Sequence, residues 1–165
     1  MNQESIKPLR EFQERLELLT PQDFENFVVD VLRSTHRFAE IKRNAVINGS
    51  QIDIVAIEKD SLSMHMRKWF FEIKKMRVVS LDVVHKLMGL KSVLQHQESQ
   101  ISFVLVVAGH LTAAALERAE HWGIEVWDAL KLATLTPQEM AAAYFGEPIN
   151  FPNATAYKDD KQIRL

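Results

Sequence analysis

Three charged residues interrupt two apolar runs in the middle of the chain. Asp53 lies inside Gln51–Ile57, whereas Glu72 and Lys74 lie inside Trp69–Lys75. Both runs are short and rich in β-branched and aromatic residues, which predicts two β-strands. Because residues i and i+2 of a strand share a face, we expect Glu72 and Lys74 to point the same way. If the two strands are neighbours, two carboxylates and an ammonium group meet at one site.

These residue types favour divalent-metal chemistry. The carboxylates of Asp53 and Glu72, with the main-chain carbonyl of Ile73, are hard oxygen ligands that suit Mg²⁺ or Mn²⁺. Such an ion polarises a phosphoryl oxygen and lowers the pKa of a bound water. Lys74 would orient the nucleophile or stabilise negative charge on phosphorus. Glu25, from a preceding helix, would complete the shell through a water or bind a second ion.

The charge distribution also favours an anionic ligand. Eleven basic and six acidic residues lie between Arg37 and Lys91, which gives this segment a formal net charge of +5. The whole chain has a net charge of −2, so the rest of it has −7. A positive segment around a candidate site favours nucleic-acid binding, although a solvated, mixed-charge face would give the same pattern. The candidates for phosphate contacts are Lys42, Arg43, Lys68, Lys75 and Arg77.

Length and composition predict one globular domain. A chain of 165 residues can bury a sizeable core, which we assign to residues 1–146, with residues 147–165 as a C-terminal arm or flexible tail. The chain has no cysteine, no run of about 20 apolar residues and a polar N-terminus. These features exclude disulfides and thiolate metal sites, and we expect a cytoplasmic protein.

The pattern in the first half of the chain predicts two helices followed by a meander of three β-strands. Apolar residues at spacings of three and four predict a helix from about Glu4 to Leu19. The segment Thr20–Asp23 has the Thr, Pro and Asp of a helix start and opens a second helix, to about Ser34. Residues 37–46 are ambiguous between a twisted strand and a strand plus turn. Asn48–Gly49 predicts a hairpin turn before the strand with Asp53, and residues 64–73 form its partner.

The second half alternates between helices and strands. We expect a helix after Ser80, a buried strand from Ile101 to Val107, a helix over 113–122 and a short strand over 124–127. A short helix follows Asp128, and Thr136–Glu139 repeats the Thr-Pro start before a last helix. The order α-α-β-β-β-α-β-α-β-α predicts an α/β fold with a mixed sheet and helices on both faces.

The combined pattern resembles that of the PD-(D/E)xK nuclease superfamily. Asp53 precedes Glu72-Ile73-Lys74 by 19 positions, and Glu25 occupies the preceding helix as in that pattern. More narrowly, the chain is similar to the Mrr-like restriction endonuclease domain over about residues 18–132. The matching segments are Leu19–Glu25, Gln51–Ala56, Phe71–Lys75, the strand that ends at Val107, and Gly123–Asp128.

The resemblance implies a restriction-endonuclease-like fold and metal-dependent hydrolysis of DNA phosphodiesters, in restriction or in defence against foreign DNA. It implies Asp53 and Glu72 as metal ligands and Lys74 as the catalytic lysine, with Glu25 in support. The approach to Asp53 has a single glycine, Gly49, where many relatives are glycine-rich, and Glu72 stands where many have glutamine.

Three questions stay open at the level of sequence. The same fold would also suit a binding or assembly subunit of a larger nucleic-acid-processing complex. RNA is a less favoured substrate than DNA. A homodimer is the simplest way to cut both strands of a duplex, because a two-fold axis supplies two sites.

Overall fold

The computed structural model describes residues 3–59, 62, 65–96 and 100–146, with side chains from Lys7 onward. The helices in this part of the chain are α1 (Gln3–Leu18), α2 (Pro21–Ser34), α3 (Leu81–Gln95), α4 (Ala113–His121), α5 (Ala129–Leu135) and α6 (Gln138–Phe145). Its strands are β1 (Phe38–Ile47), β2 (Ser50–Lys59), β3 (Met66–Lys74), β4 (Val78–Val79), β5 (Ile101–Val107), β6 (His110–Leu111) and β7 (Ile124–Trp127). The predicted C-terminal arm, 147–165, lies outside the described residues. None of the described helices is long and apolar enough to cross a membrane.

A five-stranded mixed sheet forms the centre of the fold, in the order β1-β2-β3-β5-β7. The strands β1, β2 and β3 are antiparallel neighbours, and β3, β5 and β7 are parallel. The parallel half requires crossover helices, because parallel strands cannot be joined by a tight turn. The α/β mixed sheet is therefore confirmed, and β2 and β3 are hydrogen-bonded neighbours as expected.

Two apolar clusters cover the two faces of this sheet. The first cluster packs α1, α2 and α5 against one face through residues such as Phe12, Phe27 and Leu132. The second cluster packs α3 and α4 against the other face, with Leu87 and Ala119 among its members. Helices therefore lie on both faces, as the pattern predicted. The nearly continuous apolar run of β5 is explained by its position between the two clusters.

The start of α2 agrees with the sequence, whereas the start of α6 does not. The Thr20 hydroxyl accepts a hydrogen bond from the Asp23 amide at 3.1 Å, and Pro21 is the first helical residue. The prediction that Thr136 opens the last helix is wrong. Its hydroxyl instead donates to the Leu132 carbonyl at 2.6 Å, where it ends α5. The helix that follows begins at Gln138 without a side-chain cap.

The structure resolves one ambiguous segment and differs from the predicted strands in two respects. The ambiguous segment is one ten-residue strand, β1, which starts at Phe38. The partner of β2 begins at Met66 and includes Lys74, while Met64, its predicted start, lies outside the described residues. A second, two-stranded parallel sheet, β4 with β6, was not predicted. Strands of two residues carry no periodicity from which they could be recognised.

Candidate metal-binding site at the end of strands β2 and β3

Asp53 lies where the side chains of the β1–β2 hairpin change from one face of the sheet to the other. Ile54 belongs to the first apolar cluster, whereas Ile52 belongs to the second. Residues two apart on a regular strand share a face, so β2 changes face at Asp53. The same change occurs in β1, where Ile41 packs against the first cluster and Ala45 against the second. The hairpin therefore bends at the position of the predicted metal ligand.

The two central strands separate at this same position. The β2–β3 ladder ends at the pair Ile54–Phe71, and Asp53 is the residue just before Ile54 on β2. Here the Asp53 side chain, and not the backbone of β2, binds β3, because Oδ2 of Asp53 accepts a hydrogen bond from the Ile73 amide at 2.7 Å. The bond ties Asp53 to the residue between Glu72 and Lys74. The structure thus brings Asp53 next to the Glu72-Ile73-Lys74 segment.

Glu72 is a buried carboxylate with little compensation for its charge. Only 6% of the residue is exposed. Its contact with Lys74 joins Oε2 to Nζ at 3.4 Å, which is long for a hydrogen bond. Burial raises the pKa of Glu72 above its ordinary value, the charge of Asp53 raises it further, and Lys74 opposes both. Negative charge is therefore costly at this point of the site.

Lys74 is the more exposed partner, with 37% of its side chain accessible. It is the last residue of β3. Phe70 lies four residues earlier on the same strand and packs in the second cluster. Residues of equal parity share a strand face, so Glu72 and Lys74 project from one side, as predicted. An ammonium group that contacts Glu72 and reaches solvent is available to an incoming anion.

Glu25 is paired with a basic residue. Its Oε1 accepts a hydrogen bond from Nε of Arg43 at 2.8 Å and lies 2.6 Å from Nη2 of the same residue in an ion pair. Glu25 was predicted as a supporting carboxylate and Arg43 as a phosphate contact, yet the structure joins them. The pair links α2 to β1 opposite Ile54, one residue from Asp53. Sequence patterns miss such a pair because its members are 18 residues apart on different elements.

The other predicted phosphate contacts are dispersed. Lys42 pairs with Glu40 at 3.0 Å, and Nε of Arg77 lies 3.9 Å from a carboxylate oxygen of Glu17. Lys75 directly follows β3 and is half-buried. Lys68 lies six residues before Lys74 on β3, which is about 20 Å along an extended strand. Lys75 and Arg77 are therefore nearest to the candidate site in sequence, and Lys68 is at the far end of its strand.

The donor set fits a divalent cation. The Asp53 carboxylate is tied to the Ile73 amide beside Glu72, the Glu72 carboxylate is buried, and Lys74 makes only a long contact with it. A hard divalent ion with several waters needs only one or two carboxylates from the protein. Among the described residues no group of three His, Asp or Glu side chains is close enough to hold a metal ion. The structure therefore does not add Glu25 to Asp53 and Glu72 as a direct third ligand.

Asn44 is a residue of the site region that the sequence reasoning missed. The ladder pairs Arg43 with Ile54 and Ala45 with Ile52, which leaves Asn44 opposite Asp53. Its φ of 50° lies in the left-handed region, which asparagine adopts more readily than most residues. The signal in the sequence was an asparagine inside a strand, where this residue type is depleted.

The fold and the pair of strands at its centre define a protein of the PD-(D/E)xK nuclease class. The family model Mrr_cat, described as a restriction endonuclease, matches residues 16–136. The chain therefore belongs to the Mrr-type restriction endonuclease family, and the resemblance inferred from the motifs is confirmed.

Solved structures of two endonucleases share the fold. A repair endonuclease from Pyrococcus abyssi is 20% identical, with a TM-score of 0.54 over 67% of this chain and 46% of that one. The DNA modification-dependent restriction endonuclease AspBHI is 18% identical, with a TM-score of 0.58 over 85% of this chain and 39% of that one. The chain thus spans less than half the length of either protein. No curated protein was found to match it.

Proposed function

We propose that the chain is a metal-dependent endonuclease that hydrolyses DNA phosphodiester bonds, in restriction or in defence against foreign DNA. The observation that carries the proposal is the hydrogen bond that ties the Asp53 carboxylate to the Ile73 amide, between Glu72 and Lys74, which contact each other. Membership of the restriction endonuclease family supports it. The positive segment from Arg37 to Lys91 is consistent with a polyanionic substrate.

Asp53, Glu72 and the main-chain carbonyl of Ile73 would hold Mg²⁺ or Mn²⁺. When bound, the ion would polarise a phosphoryl oxygen and lower the pKa of a water molecule. The buried position of Glu72 keeps bulk water from its carboxylate, which strengthens electrostatic interactions there. The hydrogen bond from the Ile73 amide fixes Asp53 before substrate arrives, which spares the cost of ordering this ligand later.

Lys74 is assigned the charge-stabilising role. Hydrolysis adds a water oxygen to phosphorus and breaks one P–O bond of the backbone, while negative charge develops on the phosphoryl oxygens. The ammonium group of Lys74 shares a strand face with Glu72 and is partly exposed, so it can contact these oxygens or orient the water. Preorganised donors of this kind contribute about 10²–10³-fold in rate.

A cleavage assay with matched variants tests the proposal. Supercoiled and linear DNA are incubated with Mg²⁺ and with Mn²⁺, and EDTA serves as the metal-free control. We expect cleavage by the wild type and a loss of at least about 10²-fold for Lys74→Met and Asp53→Asn. Lys59→Met is the control, because Lys59 lies at the opposite end of β2 from Asp53.

The outcomes separate the candidate functions. Full cleavage by both site variants would contradict the assigned roles. DNA left intact by the wild type under both metals would contradict the enzyme and favour a binding or assembly subunit. Parallel reactions with RNA of the same sequence distinguish the two nucleic acids, and we expect DNA to be the better substrate.

We also propose that two copies act on a duplex. A two-fold axis would direct one site to each strand, and strand β1, which forms an edge of the five-stranded sheet in the described part of the chain, is a candidate contact surface. Sedimentation with and without a short duplex tests the assembly. A species with two chains per duplex is expected, and a strictly one-to-one complex that cuts both strands would contradict it.

A further inference from the structure

Asn44 faces Asp53 at the bend of the β1–β2 hairpin, and three observations coincide there. The backbone of Asn44 has a φ of 50°. The hairpin changes from the first apolar cluster to the second at this pair of residues. The carboxylate of Asp53 leaves the strand ladder and binds the Ile73 amide. A left-handed residue within a strand produces a local bend of this kind.

We propose that Asn44 is a positioning residue, whose left-handed backbone directs the Asp53 carboxylate onto the Ile73 amide and so builds the metal-binding end of the site. The assignment rests on the proposed function for its purpose, though the geometry itself is independent of metal. If residue 44 returned to an extended conformation, the side chains of the hairpin would keep alternating between the two faces of the sheet without the change at Asp53. Ile52 would then turn toward the first cluster, and Asp53 would lose the bend that sets its direction.

The residue type at this position is explained by the backbone. Asparagine and glycine tolerate the left-handed region, whereas a β-branched residue there is a genuine outlier. The Asn44 side chain also contributes, because its Oδ1 accepts a hydrogen bond from Nε2 of Gln51 at 3.3 Å across the hairpin. Both residues of that bond are exposed, so we expect the backbone conformation to matter more than the side chain.

The chain offers a matched control at the tip of the same hairpin. Asn48 also has a φ of 50° and precedes Gly49, with a φ of 79°, in the two-residue turn between Ile47 and Ser50. A β-branched residue at 48 therefore introduces the same backbone strain as one at 44. The difference is that Asn48 lies four residues after Asn44, in the turn that follows β1 and away from Asp53.

The experiment compares Asn44→Val, Asn44→Gly and Asn48→Val with the wild type. The first readout is hydrogen exchange of the Ile73 amide in EDTA, which reports the bond to Asp53 directly, with Asp53→Ala as the reference for its loss. The second readout is the Mg²⁺ concentration that gives half of the metal-induced rise in Tm. Circular dichroism selects the temperature at which each variant is folded.

We expect Asn44→Val to lose the protection of the Ile73 amide and to need about 10-fold more Mg²⁺ or worse, the usual effect of removing a group that orients a ligand. Asn44→Gly is expected to keep both properties. Asn48→Val is expected to lose stability but to keep Ile73 protection and Mg²⁺ affinity.

Two results would overturn the assignment. One is an Ile73 amide that stays as protected in Asn44→Val as in the wild type. The other is an equal loss of protection in Asn48→Val, because this would reduce Asn44 to a general contribution to hairpin stability. A wild type with no response to Mg²⁺ would instead contradict the proposed metal site, and the exchange data would still decide the role of Asn44.

Discussion

At the scale of single residues, the site joins groups that are unfavourable for folding. Glu72 is buried next to Asp53, and the cation that contacts it, Lys74, is 3.4 Å away and partly exposed. A partly exposed pair is screened by solvent, so it offsets little of the cost of burial. Such an arrangement costs stability in the metal-free protein, and a divalent cation would relieve it.

Glu72→Gln should therefore stabilise the metal-free protein at neutral pH. Because the pKa of Glu72 is raised above its ordinary value of 4.5, the unfolded chain releases this proton first as the pH rises. The free energy of unfolding falls between the unfolded and the folded pKa, and the loss persists at pH 7. Below 4.5 both states are protonated and the loss disappears.

Urea unfolding in EDTA between pH 4 and pH 8 measures this effect. We expect a gain on the order of 1 kcal/mol for Glu72→Gln at pH 7, which shrinks toward zero near pH 4. Glu117→Gln, at an exposed position of α4, is the control and should change little. A Glu72→Gln variant that is less stable than the wild type at pH 7 would contradict this interpretation of the site.

At the scale of elements, the local signals predicted most helices and the hairpin turn. Thr20 and Pro21 start α2, and Asn48–Gly49 forms the turn between β1 and β2. These features depend on neighbouring residues, so sequence alone reveals them. The bend at Asn44 and the pair of Glu25 with Arg43 depend on contacts between distant segments, and local patterns could not predict them.

The end of β3 is held by a close backbone crossing. The Gly109 amide donates to the Met76 carbonyl at 3.0 Å, and the His110 amide donates to the Arg77 carbonyl at 3.0 Å. A Cβ on Gly109 would lie 1.9 Å from the Arg77 carbonyl oxygen. The missing side chain is thus what lets the segment after Lys74 pack against the end of β5.

Two glycine-to-alanine substitutions test this crossing. Gly109→Ala should lower the free energy of unfolding by about 1–3 kcal/mol, because backbone atoms must move to admit the methyl group. Gly89→Ala is the control, since it lies inside α3 with nothing within 4 Å of an added Cβ. This change should raise stability by about 0.5–1 kcal/mol through helix propensity. Equal effects of the two substitutions, measured by urea unfolding, would contradict the crossing.

At the scale of the whole molecule, the positive segment surrounds the site but not as a uniform patch. Arg43 is held by Glu25, and Lys42 contacts Glu40. The sequence alone showed the net charge of +5 for residues 37–91 and of −7 for the rest of the chain. Which of these cations remains available depends on ion pairs between elements, and the sequence could not predict them. Lys75, directly after Lys74, is our first choice for a phosphate contact.

Lys75→Ala should weaken DNA binding and reduce its dependence on salt. Each phosphate contact contributes a slope of about 0.9 to the plot of log affinity against log salt concentration for a duplex. Fluorescence anisotropy in EDTA, with a short duplex, separates binding from cleavage. Lys7→Ala on α1, where Lys7 lies 4.0 Å from Glu11, is the control. A salt-dependence slope for Lys75→Ala equal to that of the wild type would contradict a phosphate contact by Lys75.

We propose above that Asp53 and Glu72 together hold a divalent cation beside Lys74. The most direct test of this proposal is anomalous diffraction from crystals soaked in millimolar Mn²⁺, with crystals of an Asp53→Ala, Glu72→Ala double variant as the control. We expect a Mn²⁺ peak between the two carboxylates in the wild type, and none there in the double variant. A wild-type crystal with no peak at this position, or a peak that survives in the double variant, would contradict it.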